Sequence, residues 1–141
     1  MDVSGCDGTG SGMARPKEEQ PTAGELEVLK VLWDQGPSTV RDVMNVLNKR
    51  RRRAYTSVMS LMNVMTDKGL LRRRAEGRAY LYEARRPRES TLGSMLNDLL
   101  GRAFEGSASN LVTHLLGQAN PSEDELDEIR RAIDAYQREE R

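Results

Sequence analysis

The chain has 141 residues, of which 37% are hydrophobic and 31% charged, so it has room for one compact domain with a helical extension and not for two enzyme-sized domains. No apolar run approaches the ~20 residues of a membrane-spanning helix, and the N-terminal stretch lacks the features of a secretory or transit signal, which predicts a cytoplasmic protein without membrane insertion. Cys6 and His114 are the single cysteine and the single histidine, which excludes an intrachain disulfide and leaves no ligand set, so we predict neither a metal nor another cofactor.

Two helices are predicted after an N-terminal tail. Residues 1–20 are rich in Gly and Ser without apolar periodicity, and we expect this tail to be disordered. Thr22 and Glu25 have the spacing of a capping box, in which each side chain accepts the other residue's backbone N–H at a helix start. The same spacing recurs at Thr39 and predicts a second helix that ends near Asn48.

The third predicted helix has one apolar and one polar face. Thr56 is the expected N-cap and Gly69 the C-terminal stop. Between them apolar residues recur at helical spacing, namely Val58, Leu61, Met62 and Met65. The opposite face carries small or polar side chains that allow a close approach to another surface, namely Ser57, Ser60, Asn63 and Asp67.

Beyond the third helix the periodicity becomes that of strands. Residues 70–83 are predicted to form a hairpin around a turn at Glu76-Gly77, with the glycine at positive φ. Tyr80 and Tyr82 favour a strand and are expected to lie on one face as packing residues. Three helices and a basic hairpin predict a winged helix-turn-helix domain at residues 21–86, in a mainly α fold with a small β-hairpin (α+β).

Residues 87–141 return to a helical pattern and are predicted to form a helical dimerisation domain. Their apolar stripes are too long to leave in water, and a second copy of the chain is the commonest partner that covers such faces. We therefore expect a homodimer joined through Leu92, Met95, Leu96, Leu99, Leu111, Leu115, Leu126, Ile129 and Ile133.

The net charge of zero conceals a segregation of charge along the chain. Residues 41–88 carry fourteen Lys/Arg and four acidic residues, a net charge of +10, whereas residues 1–40 and 89–141 carry −4 and −6. A basic segment that contains a groove-sized helix and a hairpin indicates double-stranded DNA as the partner. Taken alone, the run Arg50–Arg53 is as consistent with a solvated surface as with a DNA contact.

We expect the third helix to enter the major groove and the hairpin to reach the adjacent backbone or minor groove, with Met59 offering an apolar contact to a thymine methyl. No Gly-rich phosphate loop and no nucleophile with a usable base is present, so we predict that the protein is not an enzyme. The residues expected to contact DNA are Thr39, Arg53, Tyr55, Thr56, Ser57, Met59, Ser60, Asn63, Arg72, Arg74, Gly77 and Arg78, with Arg73 beside them in the hairpin.

Four stretches of the chain together resemble the BlaI/MecI penicillinase-repressor family: Glu25–Trp33, Tyr55–Met62, Lys68–Leu71 and Glu76–Tyr82. The layout of the helical region from Thr91 onward is also similar. The resemblance implies a homodimer on a pseudo-palindromic operator with TACA/TGTA-like half-sites, which represses β-lactamase or related genes. It also implies relief of repression when a membrane sensor protease, or a process that it triggers, cleaves the dimerisation region.

The chain departs from the family pattern at the cleavage position. It reads Leu111-Val-Thr-His-Leu115 where staphylococcal members have an Asn-Phe pair after Leu-Val. Two other functions stay open from the sequence. One is a winged-helix module that binds an acidic protein, and the other is a regulator that holds a small effector between its C-terminal helices.

Overall fold

The computed structural model describes residues 20–140, so the predicted tail at residues 1–20 lies outside the described residues except for its last member. The described chain divides into two compact units, of which the first ends at Met95 and the second begins at Leu96. The elements are α1 (Ala23–Gln35), α2 (Val40–Leu47), α3 (Tyr55–Asp67), β1 (Leu71–Glu76), β2 (Ala79–Ala84), α4 (Arg88–Ala103), α5 (Ala108–Ala119) and α6 (Glu123–Glu140). None of these helices has the length and apolar character that a membrane span requires.

The predicted capping boxes are present at the first two helices. At α1, Thr22 Oγ1 accepts the Glu25 N–H at 3.2 Å and a Glu25 carboxylate oxygen accepts the Thr22 N–H at 3.0 Å. At α2, Thr39 and Asp42 make the same exchange. Each cap satisfies backbone N–H groups that a helix start leaves without partners, which stabilises the helix by about 1 kcal/mol.

The predicted N-cap of the third helix is wrong. Helix α3 begins at Tyr55, and Ala54 occupies the N-cap position without any side-chain hydrogen bond. Its start is fixed instead from the preceding loop, where Asn48 Oδ1 accepts the Arg53 N–H at 2.8 Å and Asn48 Nδ2 donates to the Arg53 carbonyl at 3.4 Å. Thr56 therefore lies inside the first turn of the helix, with its side chain exposed.

The hairpin is present, but its predicted turn is displaced by one residue. Glu76 pairs with Ala79, so the turn is Gly77-Arg78 and not Glu76-Gly77. Gly77 has φ 62° while Arg78 does not have a positive φ, which is the pattern of a two-residue turn with glycine in its first central position. Arg78 thus lies at the tip of the hairpin and not in β2.

A third backbone segment pairs with the hairpin, and no sequence pattern predicts this pairing. Ser38, between α1 and α2, forms an isolated antiparallel bridge with Tyr82. The Ser38 N–H donates to the Tyr82 carbonyl at 3.0 Å and the Tyr82 N–H donates to the Ser38 carbonyl at 2.8 Å. A pairing of one residue has no alternating pattern, because alternation needs a run of strand residues. The bridge ties the hairpin to the start of the helix-turn-helix.

The core of the first unit lies between the three helices and the base of the hairpin. It includes the predicted Val58, Met62 and Met65 of α3, which are all at most 1% exposed. The remaining buried apolar side chains are Val28, Leu29, Val31, Leu32, Val40, Val43, Leu47, Leu71 and Tyr82. Glu25 is also buried, and Lys68 Nζ at the end of α3 donates to both of its carboxylate oxygens at 3.0 and 2.8 Å.

The second unit has no comparable core. It contains the C-terminal part of α4 together with α5 and α6, and none of the side chains described between residues 96 and 139 is buried. Leu96, Leu115 and Ile133 are each more than half exposed, at 52%, 53% and 51%. The His114 ring meets the Phe104 ring edge-on with their centroids 5.2 Å apart. Helical periodicity is present in this unit without the burial that normally accompanies it.

Candidate nucleic-acid interface

The face of α3 opposite the core is open to solvent. Thr56, Ser57 and Ser60 are exposed on it, and Asn63 is half-buried beside the hairpin. Since residues of a helix are 100° apart, these positions lie on the side away from the buried Val58, Met62 and Met65. The face is polar and made of small side chains, so a helix of about 10–12 Å diameter can approach a groove of similar width through it.

Two apolar side chains of α3 differ in their access to a partner. Met59, predicted to touch a thymine methyl, is half-buried and packs against the core of the first unit. Val64 is 49% exposed on the polar face, and it was missed because a valine at helical spacing is usually assigned to a core. Val64 is therefore the better placed of the two for an apolar contact with a base.

The strand register separates the hairpin arginines onto two faces. Arg73 pairs with Tyr82, whereas Arg72 and Arg74 pair with Glu83 and Leu81 on the opposite face. Arg72 Nε donates to Glu83 at 2.7 Å, and Arg74 Nε lies 3.8 Å from a Glu76 oxygen. The predicted contacts Arg72 and Arg74 are exposed but share their charge with neighbouring carboxylates.

Arg73 connects the hairpin to α3. Its Nη1 donates to Asn63 Oδ1 at 3.0 Å, and its guanidinium carbon lies 4.4 Å from the centre of the Tyr80 ring. Tyr82 Oη donates to the same Asn63 oxygen at 3.0 Å. Both tyrosines were predicted to pack within the hairpin. Tyr82 is buried at 2% exposure, whereas Tyr80 is 47% exposed and its ring contacts the Arg73 guanidinium.

The predicted contacts at the tip of the hairpin are fully accessible. Gly77 and Arg78 are exposed, and Arg78 has no ion-pair partner in the part of the chain that the structure describes. Arg78 is therefore the hairpin arginine whose charge is most available to a phosphate.

The loop before α3 divides the predicted arginine run. Arg53 is ion-paired with Glu27 of α1 and its side chain is only 15% exposed, which makes it part of the scaffold. Arg50, Arg51 and Arg52 are exposed.

Arg41, on α2, has its guanidinium 5.0 Å from the centre of the Tyr55 ring, and this pair lies next to the start of α3, which has no side-chain cap. An open depression at this junction is lined by Met44, Asn48, Arg52, Arg53, Ala54 and Tyr55.

Thr39, a predicted DNA contact, is also the N-cap of α2, where its hydroxyl oxygen accepts the Asp42 N–H at 3.1 Å. The hydroxyl hydrogen of such a cap is still able to donate to a phosphate. Among the side chains described between residues 20 and 139, no three of His, Cys, Asp or Glu gather closely enough to hold a metal ion.

Three helices, a hairpin and a strand bridge between them define a winged helix-turn-helix protein, in which α3 has the position of a recognition helix and the hairpin that of the wing. The family model described as "Penicillinase repressor" matches residues 21–135. The chain therefore belongs to the penicillinase repressor family and is a transcriptional repressor built on a winged helix. The family predicted from the four sequence stretches is confirmed.

Individual members of the family also match most of the chain. "Transcriptional regulator BlaI" of Mycobacterium tuberculosis is 32% identical over 114 residues, which are 78% of this chain and 81% of that protein. "Penicillinase repressor" of Bacillus licheniformis is 22% identical over 120 residues, covering 85% of this chain and 94% of its own. The solution structure of the DNA binding domain of the repressor BlaI matches 49% of this chain and 84% of its own, with 26% identity and a TM-score of 0.45.

Proposed function

We propose that the protein binds a specific operator in double-stranded DNA, in the cytoplasm, and represses the genes next to it. Helix α3 enters the major groove through Thr56, Ser57, Ser60 and Asn63, and the wing lays Arg78 on the neighbouring backbone or minor groove. The observation that carries this proposal is the uncovered polar face of α3 beside a hairpin whose tip arginine has no partner in the described chain. Such a face has the size and the hydrogen-bonding groups that base edges require.

The charge distribution supports DNA as the partner. The net charge of +10 over residues 41–88 is concentrated in the unit that contains α3 and the wing. Arg50, Arg51 and Arg52 add exposed positive charge in the loop before α3. Because each neutralised phosphate releases counterions, the affinity falls steeply as the salt concentration rises.

We propose further that the repressor acts as a homodimer on a pseudo-palindromic operator. The second unit buries none of its described side chains, and its leucine and isoleucine stripes need a partner to exclude water. Two identical chains related by a two-fold axis present two recognition helices, so an operator with matching half-sites binds both. The relative in Bacillus licheniformis is named a penicillinase repressor, which favours β-lactamase or related genes as targets.

Relief of repression by a sensor-triggered protease fits the same architecture. The residues Leu111–Leu115, at the position of the family's cleavage site, lie within helix α5, whose side chains are nowhere buried. A protease needs an extended substrate, and a helix that is weakly held by tertiary contacts opens locally at low cost. Cleavage there would separate the two DNA-binding units and remove the gain that comes from linking two half-site contacts.

A gel-shift titration against DNA from the protein's own promoter tests the repressor assignment. We expect a sequence-specific shift that weakens between two salt concentrations, and that Arg78→Ala and Asn63→Ala together weaken it at least tenfold, since each removed contact of this kind contributes about 1 kcal/mol. Arg131→Ala is the matched control, because Arg131 is exposed on α6 and has no ion-pair partner among residues 20–140.

Two results would contradict the assignment. One is the absence of any specific shift, and the other is a shift that the double variant leaves unchanged. If an excess of nonspecific DNA removed all binding, a role in binding an acidic protein would be favoured instead, since only a repressor keeps a preference for one sequence.

A further inference from the structure

The oxygen and the nitrogen of the Asn63 side-chain amide differ in their hydrogen bonding. Its oxygen Oδ1 accepts from Arg73 Nη1 and from Tyr82 Oη, both at 3.0 Å. Its nitrogen Nδ2 makes no hydrogen bond within the described residues. The orientation of the amide is fixed by chemistry, because a guanidinium has only donors and therefore requires the oxygen to face it.

Both groups that hold the oxygen are themselves anchored. Tyr82 is buried and its backbone pairs with Ser38 in both directions. Arg73 lies opposite Tyr82 in the strand register and stacks over the Tyr80 ring. A carbonyl oxygen has two lone pairs, and here two donors occupy them. Asn63 therefore has no free acceptor to offer to a ligand.

We propose that Asn63 reads the operator as a hydrogen-bond donor only, through Nδ2, and so selects a base that offers an acceptor in the major groove. This inference rests on the proposed function. The usual pairing of asparagine with adenine uses the amide oxygen for adenine N6 and the amide nitrogen for N7, and the first of these bonds is not available. Guanine offers O6 and N7 and thymine offers O4, so both suit a donor.

The same reasoning sets the order of preference at the base that Asn63 reads. Guanine and thymine are favoured, adenine retains only its N7 acceptor, and cytosine presents its N4 donor towards the Nδ2 donor. A bidentate base contact contributes about 1–3 kcal/mol of discrimination, so a contact through the one amide nitrogen, at the lower end of this range, favours these bases over cytosine by about fivefold in affinity. Arg73 and Tyr82 act as positioning residues for this selectivity.

The test is a panel of operators in which every base pair of the promoter site is varied in turn. Wild-type protein is compared with Asn63→Asp, which keeps an acceptor oxygen for Arg73 and Tyr82 and replaces the donor Nδ2 with a second acceptor oxygen. We expect the preference for guanine or thymine to disappear at one base pair and to move to cytosine or adenine there, while the preferences elsewhere stay as they are. Ratios of affinity are read because the added negative charge lowers binding to all sequences alike.

A second variant releases the oxygen. Arg73→Met with Tyr82→Phe keeps the bulk of both side chains and removes both donors, and we expect adenine to gain several-fold at the same base pair. Melting temperatures check that the variants are folded, and if this double variant does not fold, the Asn63→Asp panel decides alone. A wild-type preference for adenine at this base pair, or an Asn63→Asp panel identical to wild type, would overturn the inference and leave the repressor function standing. Wild-type protein without any operator preference would overturn both.

Discussion

The buried ion pair between Glu25 and Lys68 joins the start of α1 to the C-terminal end of α3. Burial by itself raises the pKa of the Glu25 carboxyl, but the hydrogen bonds from Lys68 and from the Thr22 N–H, with the charge of Lys68, outweigh it and leave the pKa lowered from its ordinary value of 4.5. Removing Lys68 leaves a carboxylate in the core without its counter-charge. Lys68 thus holds the C-terminal end of α3 in place.

This pair makes the stability of the first unit dependent on acidity. A carboxyl with a lowered pKa in the folded state contributes stability above its ordinary pKa of 4.5, and this contribution is lost as the pH falls through the folded-state value. We expect Lys68→Met to lower the free energy of unfolding by about 2 kcal/mol at pH 7. Urea unfolding between pH 7 and pH 3 measures it, and an equal difference from wild type at every pH would contradict this account.

Val64 offers a second prediction at the level of a single side chain. If it contacts a thymine methyl, Val64→Ala weakens operator binding by about fivefold, since burial of one or two methyl groups contributes about 1 kcal/mol. The same substitution has no effect on an operator in which deoxyuridine replaces that thymine, because the methyl group is then absent. Stability stays near that of wild type, since the side chain is 49% exposed. Equal losses on both operators would exclude the contact.

Residue-level features were predictable where they depend on near neighbours in the chain. The spacing of Thr22 with Glu25 and of Thr39 with Asp42 identified both capping boxes correctly. The start of α3 was misplaced because Asn48 fixes it from the preceding loop. The junction of Asn63, Arg73 and Tyr82 was missed because it joins residues of three elements, and the pairing that brings them together depends on the register of the wing.

At the level of elements, the position of one turn decided that register. A turn at Glu76-Gly77 places Arg73 opposite Tyr80, whereas the observed turn at Gly77-Arg78 places it opposite Tyr82. The sequence favoured the first because glycine is common in either central position of a hairpin turn. Faces were still predictable, since a shift of two residues along the partner strand preserves alternation. The residues that pair across the hairpin were not predictable, because they depend on the position of the turn.

The turn of the wing gives a prediction with an opposite control. Gly77 has φ 62°, where an alanine is strained by about 1–2 kcal/mol, so Gly77→Ala lowers the unfolding free energy by about 1 kcal/mol and weakens operator binding. Gly93 lies within α4, and a Cβ there meets no atom within 4 Å. Gly93→Ala is therefore expected to stabilise by about 0.5–1 kcal/mol. Thermal unfolding of both variants checks this, and a stabilising Gly77→Ala would show that the turn differs in solution.

At the scale of the whole molecule, the two units differ in how far their apolar side chains are buried within one chain. The first unit has a full core and an open polar helix face, so its fold was largely predictable from the spacing of its apolar residues. The second unit has helices at the predicted positions but no buried side chain among those described after Met95. No described part of the chain buries its apolar stripes, and the homodimer that we propose stays a prediction.

Association through the apolar stripes is directly testable by introducing a charge. Leu115 is 53% exposed on α5, and Leu115→Glu places a carboxylate where we expect an interface. Wild-type protein should sediment at twice the mass of the chain, and the variant as a monomer with its helical circular dichroism retained. Because two linked half-site contacts become independent, operator affinity should fall about a hundredfold or more.

Thr113→Glu is the control for this prediction, because Thr113 is exposed on the other side of the same helix from Leu111 and Leu115. It adds the same charge to α5 and should leave both the mass and the affinity unchanged. A wild-type protein that is monomeric and still binds the full operator tightly would contradict the proposed dimer. So would a Leu115→Glu variant that remained dimeric, since a charge buried at an interface without a partner strongly disfavours association.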